Sequence, residues 1–146
     1  MVMIFSEFEQ KLMRMFLRGN HPMLELLRKQ YVITKKAIEP TIRGFYLYFD
    51  VHDKLLAIAE NVLLIDDIII GNNNYGAGFI LFIKDGFLCY LEGYTCSDRN
   101  YNEIIKDYGI LDLHYSGGDR REIDIMLGDG TLKNGYRKET LFIDLC

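Results

Sequence analysis

The run Tyr90-Leu91-Glu92-Gly93-Tyr94 sets one carboxylate between two phenols in a stretch that is otherwise apolar. A carboxylate in such surroundings is either an acceptor fixed by a tyrosine or the Asn-rich loop upstream, or a desolvated binding group whose charge has to be paired. That loop is Gly71-Asn72-Asn73-Asn74, where Gly and Asn tolerate positive φ and Asn side chains cap local turns. The candidate binding residues are therefore Glu92, Tyr94, Tyr90, Phe79, Gly78, Gly93 and Asn73, and no catalytic residue is assigned.

Other chemistry finds little support. GNNNYGAG lacks the Lys-Ser/Thr of a phosphate loop and precedes a strand. There is no His-Glu-x-x-His, no cysteine pair at metal spacing and no serine elbow, so neither a metal nor a cofactor is expected. His21, His52 and His114 are isolated beside turns or on an alternating strand, which suits surface or capping roles. Asp66 and Asp67 are expected to point to opposite faces of a strand and so not to share a site. Cys89 reads as a small core residue and Cys96 as a loop thiol with no base beside it.

The element that has to position Glu92 is a hairpin. GAGFILFIKDGFLCYLEGYT holds two apolar runs around Asp85-Gly86, a dipeptide suited to a two-residue turn. Such a turn pairs Lys84 with Phe87, Ile83 with Leu88, Phe82 with Cys89, Leu81 with Tyr90, Ile80 with Leu91, Phe79 with Glu92 and Gly78 with Gly93. One face then carries Phe79, Leu81, Ile83, Leu88, Tyr90, Glu92 and, just beyond, Tyr94. The other carries Ile80, Phe82, Cys89 and Leu91, with the two glycines opposite each other. Paired glycines leave room for a close approach, of which helix packing is the commoner kind and a ligand or partner the other. Phe79 to Ile83 is apolar on both faces and predicts a central strand with something packed on each side.

Around the hairpin, Ser6 and Glu9 at capping-box spacing, with Phe8, Leu12, Met15 and Phe16 at helical intervals, predict an amphipathic helix over residues 6–18. Pro22 opens a second helix with the stripe Met23, Leu24, Leu27 and Tyr31, completing an N-terminal αα hairpin. YVITKKAI, then TIRGFYLYFDV after Pro40, then NVLLIDDIII read as strands, while HDKLLAIAE fits a helical turn or a loop. SDRNYNEIIKDYG predicts a third helix, and ILDLHY, REIDIML and TLFIDL predict further strands in one or two hairpins. The sum is one α+β domain over 1–146: a mainly antiparallel sheet with the αα hairpin and one further helix packed on it, and 116–146 as a strand-rich extension.

Composition bounds the partners. The 146 residues contain ten Tyr, nine Phe and no Trp, and tyrosine suits half-buried sheet faces and contact surfaces alike. Three cysteines at unpatterned spacing argue against a secreted disulfide framework. MVMIFSEFEQ turns polar too early for a signal peptide or a membrane span, so a cytoplasmic location without membrane attachment is expected. Net charge is −4, divided as +3 over residues 1–50 and −7 over the rest. Without a basic stripe, nucleic acid is not an expected partner. The acidic portion serves solubility first, and steering toward a basic partner second.

The strand pair Gly76-Ala77-Gly78-Phe79 and Leu91-Glu92-Gly93-Tyr94-Thr95, joined by an Asp-Gly turn, resembles the signature of a family of small bacterial proteins of unassigned function. HPMLELLRKQY and TIRGFYLYFDV are similar to that family's helix and strand, so the likeness covers roughly residues 20 to 115, without DRNYN or the tail from Ser116. It implies a fold and a bacterial origin and no catalytic residue. The expectation drawn from size, charge, tyrosine content and missing motifs is a non-enzymatic binding protein, such as an immunity protein that neutralises a basic toxin domain. The alternative is a small-molecule-binding or hydrolytic protein with a pocket near Glu92, Tyr94 and Asn72 to Asn74. A homodimer formed through the C-terminal strands is compatible with both.

Overall fold

A computed structural model describes residues 2–19, 22–59, 61–70, 77–95, 113–115, 120–126 and 137–142. Two helices, α1 (Val2–Phe16) and α2 (Pro22–Ile33), precede eight strands: β1 (Lys35–Thr41), β2 (Gly44–Asp50), β3 (Asn61–Ile70), β4 (Ala77–Lys84), β5 (Phe87–Thr95), β6 (Leu113–Tyr115), β7 (Arg120–Met126) and β8 (Arg137–Phe142). All join one antiparallel sheet in the order β1-β2-β5-β4-β3-β7-β8, and β6 pairs with the C-terminal end of β3. This is the expected α+β architecture, with the αα hairpin in place and the β4–β5 hairpin at the centre. The third helix expected over 97–109 and the loop holding Asn73 lie outside the described residues.

The helices cover one face of the sheet because their apolar residues fall on one side. Phe8, Leu12, Met13 and Phe16 of α1, Leu17 just after it, and Met23, Leu24 and Leu27 of α2 are buried with Phe45, Leu47, Phe79, Leu81, Leu88 and Leu91 of the strands. Phe8 meets Phe79 at 5.5 Å between ring centres, and burying such a ring is worth about 1.5–3 kcal/mol. At the end of α1, Gly19 takes a positive φ of 141°, and the Arg28 guanidinium of α2 donates to the carbonyls of Leu17 and Gly19. One helix thus closes the other's carboxyl end.

Several boundaries differ from the sequence reading for identifiable reasons. α1 starts at Val2, so Ser6 and Glu9 lie inside the helix rather than capping it. α2 runs through Tyr31, Val32 and Ile33 despite their strand propensity, because Gln30 and Tyr31 anchor the last turn to buried partners. Pro40 lies within a strand instead of ending one, which β1 tolerates because among the described residues it is an outer strand paired only with β2. Thr41 pairs with Gly44, so β1 and β2 form a hairpin around Ile42-Arg43. HDKLLAIAE contains a single 3-10 turn, Lys54–Leu56, capped by the Asp53 carboxylate accepting from the Leu55 N–H at 3.0 Å.

The central hairpin turns at Asp85 (φ 54°) and Gly86 (φ 86°), both left-handed as a tight two-residue turn demands. Lys84 pairs with Phe87 and Ile83 with Leu88 as expected, but the register then slips by one: Phe82 pairs with Tyr90, Leu81 with Leu91, Ile80 with Glu92, Phe79 with Gly93 and Gly78 with Tyr94. Cys89 is the extra residue, a β-bulge. The bulge puts both Leu88 and Leu91, three apart, on the helix-covered face. Tyr90 and Glu92 move to the opposite face, beside Ile80 and Phe82 rather than beside Phe79, Leu81 and Ile83. Cys89 is half-buried at the bulge instead of in the core.

Candidate functional site

The face of the sheet turned away from α1 and α2 is built from alternate residues. In β2, Phe45, Leu47 and Phe49 point to the helices, and Tyr46 and Tyr48 point away. Tyr46 stands opposite Glu92 and Tyr48 opposite Tyr90 across β2 and β5. The outcome is a contiguous aromatic patch. Phe82 stacks on Tyr90 at 4.4 Å between ring centres, Tyr46 meets Tyr90 edge-on at 5.8 Å, and Tyr48 lies 6.1 Å from both Tyr46 and Tyr90. Through Phe82 this patch reaches the second side of β4.

Two carboxylates border the patch. Tyr46 donates from its hydroxyl to Glu92 Oε1 at 3.5 Å, and Tyr48 donates to Glu39 Oε2 at 3.4 Å. Desolvation, reinforced by the charge of Glu39, raises the Tyr48 phenol above its ordinary pKa of 10.0, and desolvation with the charge of Glu92 does the same for Tyr90. Both phenols therefore remain neutral donors through the physiological range. Tyr48 is 40% exposed and Tyr94 37%.

Of the candidate residues, Glu92, Tyr90 and Tyr94 come together on this face. Phe79 does not. It is buried under Phe8 and Phe45 on the helix side. Gly78 and Gly93 are not opposite each other, and an aromatic ring fills the space beside each. A Cβ on Gly93 would lie 2.3 Å from Phe45 Cε1, and one on Gly78 would lie 2.3 Å from the Tyr94 hydroxyl. The open patch expected there is occupied by the protein's own rings. Asn73, His21, Cys96 and Cys146 lie outside the described residues. His52, paired with Asp50, follows β2, while His114 is on β6, so β5, β4 and β3 separate the two. The β3 register slips between Ile65 and Ile68, and the expectation for the Asp66 and Asp67 side chains lies outside what the structure describes. Among the described residues no group of three or more His, Cys, Asp and Glu is arranged to hold a metal ion.

Sequence reasoning passed over Tyr46, Tyr48 and Glu39. The signal was present in GFYLYFD, whose Phe and Leu alternate strictly with Tyr. It also missed Gln30, which is fully buried. Its Nε2 donates to the carbonyls of Leu56 (2.7 Å) and Gly86 (2.9 Å), and its Oε1 accepts from the Leu88 N–H (2.8 Å). The β2 pairing of β5 stops at Tyr90, and the Gln30 amide takes the place of the missing strand beside Gly86 and Leu88. α2 thereby fixes the turn that orients β5 and its tyrosines.

No family model matches the chain, and neither a curated protein nor a solved structure matches it significantly. No helix among the described residues is long and apolar enough to cross a membrane.

Proposed function

We propose that this chain is a non-enzymatic binding protein of a bacterial cytoplasm that captures a basic protein domain on the outer face of its sheet, in the manner of an immunity protein neutralising a toxin. The observation that carries this reading is the joined patch of Tyr46, Tyr48, Tyr90 and Phe82 with Glu39 and Glu92 at its margin. Tyrosines are enriched at interface centres because they bring a large rigid surface with a hydrogen-bonding tip. An Arg or Lys from a partner finds there both the π face of a ring and a carboxylate, a combination that favours cations over anions. The acidic balance of residues 51–146 speeds such an encounter.

The test is co-expression with the products of adjacent genes, followed by isolation of the complex and titration with the variants Tyr48→Ala, Tyr90→Ala and Glu92→Gln. A basic partner whose binding falls at least tenfold on each tyrosine change, and weakens with salt, supports the reading. A tight complex indifferent to all three changes places the partner elsewhere and refutes it.

A further inference from the structure

β1 is exposed over its whole length, and among the described residues only β2 pairs with it. The closing pair of that hairpin, Thr41 with Gly44 across a two-residue turn, sets the phase of the ladder. Lys35, Ala37, Glu39 and Thr41 turn their backbone groups toward β2, and Lys36, Ile38 and Pro40 turn theirs outward. The Thr95 N–H donates to the Arg43 carbonyl on the far side of β2 at 2.9 Å, which fits the same phase. Lys36 and Ile38 thus each offer a donor and an acceptor at the margin of the sheet, while Pro40 offers an acceptor alone. Such an edge is a template for another strand.

The side chains sort by the same alternation. Glu39 lies on the outer face, where its Oε2 accepts from the Tyr48 hydroxyl and its Oε1 is left over, and Lys35 and Ala37 share that face. Lys36 lies on the helix side with Glu9, next to Ile38, which is 45% exposed. Lys35 stands opposite Asp50, whose carboxylate is engaged with His52, and among the described residues the Lys35 ammonium pairs with no carboxylate. A second β1, antiparallel and related by a two-fold axis at Ala37, answers each of these features. Lys36 and Ile38 exchange both ladder bonds with Ile38 and Lys36 of the second copy, and Ala37 meets Ala37 where the strands come closest. Each Lys35 faces Glu39 of the other copy, and the stem of each Lys36 covers Ile38 while its ammonium stays with Glu9. A slip of two residues sets Pro40, without an N–H, against Lys36, or in the other direction Lys36 against Lys36. A slip of one opposes side chains of different faces.

We infer that β1 is a homodimerisation edge: two copies of this chain pair β1 to β1, antiparallel about Ala37, through the backbone of Lys36 and Ile38 and through reciprocal Lys35–Glu39 ion pairs. The same edge serves both copies, so this contact closes at two. It lies at the end of the sheet away from β8, where the sequence suggested a C-terminal dimer. The two sheets become one, and the Tyr48 positions come to lie about 14 Å apart, three strand spacings, on a continuous outer face. The reading of the tyrosine face stands without the dimer, because Tyr90 and Glu92 on β5 lie away from this edge.

Sedimentation velocity of the full chain over a range of concentrations should show monomer and dimer in exchange and no larger species. Lys35→Glu places a carboxylate against Glu39 of the other copy, and Glu39→Lys places an ammonium against Lys35, so each variant alone should dimerise roughly tenfold more weakly. Mixing the two variants brings opposite charges back together at both pairs, and the mixed dimer should form about as readily as the original. Both positions are exposed, and circular dichroism melting checks that the variants fold. A weak dimer is caught by a second reading: under oxidation Ala37→Cys should cross-link faster than Thr41→Cys, which is also exposed on that face but lies far from its counterpart. Monomer at every concentration with no preference for Ala37→Cys over Thr41→Cys, a dimer indifferent to both charge changes, a mixture no better than either variant alone, or growth beyond a dimer would each overturn the inference.

Discussion

Replacing Gln30 by methionine keeps the length and volume of the side chain and removes its amide. Three hydrogen bonds go with it, to Leu56, Gly86 and Leu88. The Gly86 carbonyl still accepts from the Ile58 N–H at 3.0 Å, so its loss is partial. The Leu88 N–H is in a different position. In a two-residue hairpin the Lys84–Phe87 pair exchanges the ladder bonds, and the next pair, Ile83–Leu88, points its N–H groups outward. Among the described residues Gln30 is the acceptor of the Leu88 N–H, because the β2 pairing has stopped at Tyr90. Each lost bond is worth about 1 kcal/mol, and a buried N–H left without an acceptor costs a further ~1–3 kcal/mol, so Gln30→Met should destabilise by about 3–5 kcal/mol. For a chain of this size that is a fall in Tm of roughly 6–20 °C. Urea unfolding should show a lower midpoint with an unchanged slope, and the Leu88 amide should lose its protection from hydrogen exchange before its neighbours do. A loss below about 1 kcal/mol with Leu88 still protected would show that the amide is not the clamp described here.

Gly44 lies where β2 meets β5 most closely, and a Cβ there would fall 1.8 Å from the Gly93 carbonyl oxygen, so Gly44→Ala should separate the strands and lower the melting temperature more than alanine at exposed Thr41, as calorimetry would show. Tyr31, a half-buried donor to Glu9, has its pKa raised above 10.0 by desolvation first and by the hydrogen bond and charge of Glu9 next. A group with a raised folded pKa stabilises fully below its unfolded value and loses that contribution as pH climbs, so stability should decline above about pH 10, and Tyr31→Phe should make the decline shallower in urea titrations.

What the sequence discloses is what alternation and turn chemistry encode. Asp85-Gly86 specifies its turn, and the apolar run on either side specifies a hairpin in the middle of the sheet. The register past Ile83 is different, because a bulge is decided by how the two strands pack, not by the turn. Its trace was Leu88 and Leu91, spaced three apart in a strand whose partner keeps Phe79, Leu81 and Ile83 two apart; strict pairing has to expose one leucine, and the extra residue at Cys89 spares both. Gln30 was hidden for another reason. It continues the stripe of Met23, Leu24 and Leu27, but a polar residue at that position looks like the edge of the stripe, and only the end of β2 explains why an amide is needed. Glu92, singled out from the sequence, is placed on the other face by that single slip.

Four of the ten tyrosines, Tyr46, Tyr48, Tyr90 and Tyr94, stand on the outer face of the sheet. A sheet covered on one side has to make the other compatible with water, and polar side chains along β2 and β5 are the simplest solution. This chain instead uses rings whose edges and faces satisfy one another while their hydroxyls reach Glu39 and Glu92. Phenylalanine in their place would leave a bare apolar patch prone to self-association, and Lys or Thr would give solubility without a binding surface. Tyrosine meets both requirements, since it remains wettable alone and loses little side-chain freedom when a partner covers it. Residues that serve only the fold have no need to meet both, and the proposed recognition role rests on this excess over the structural requirement at Tyr46, Tyr48 and Tyr90.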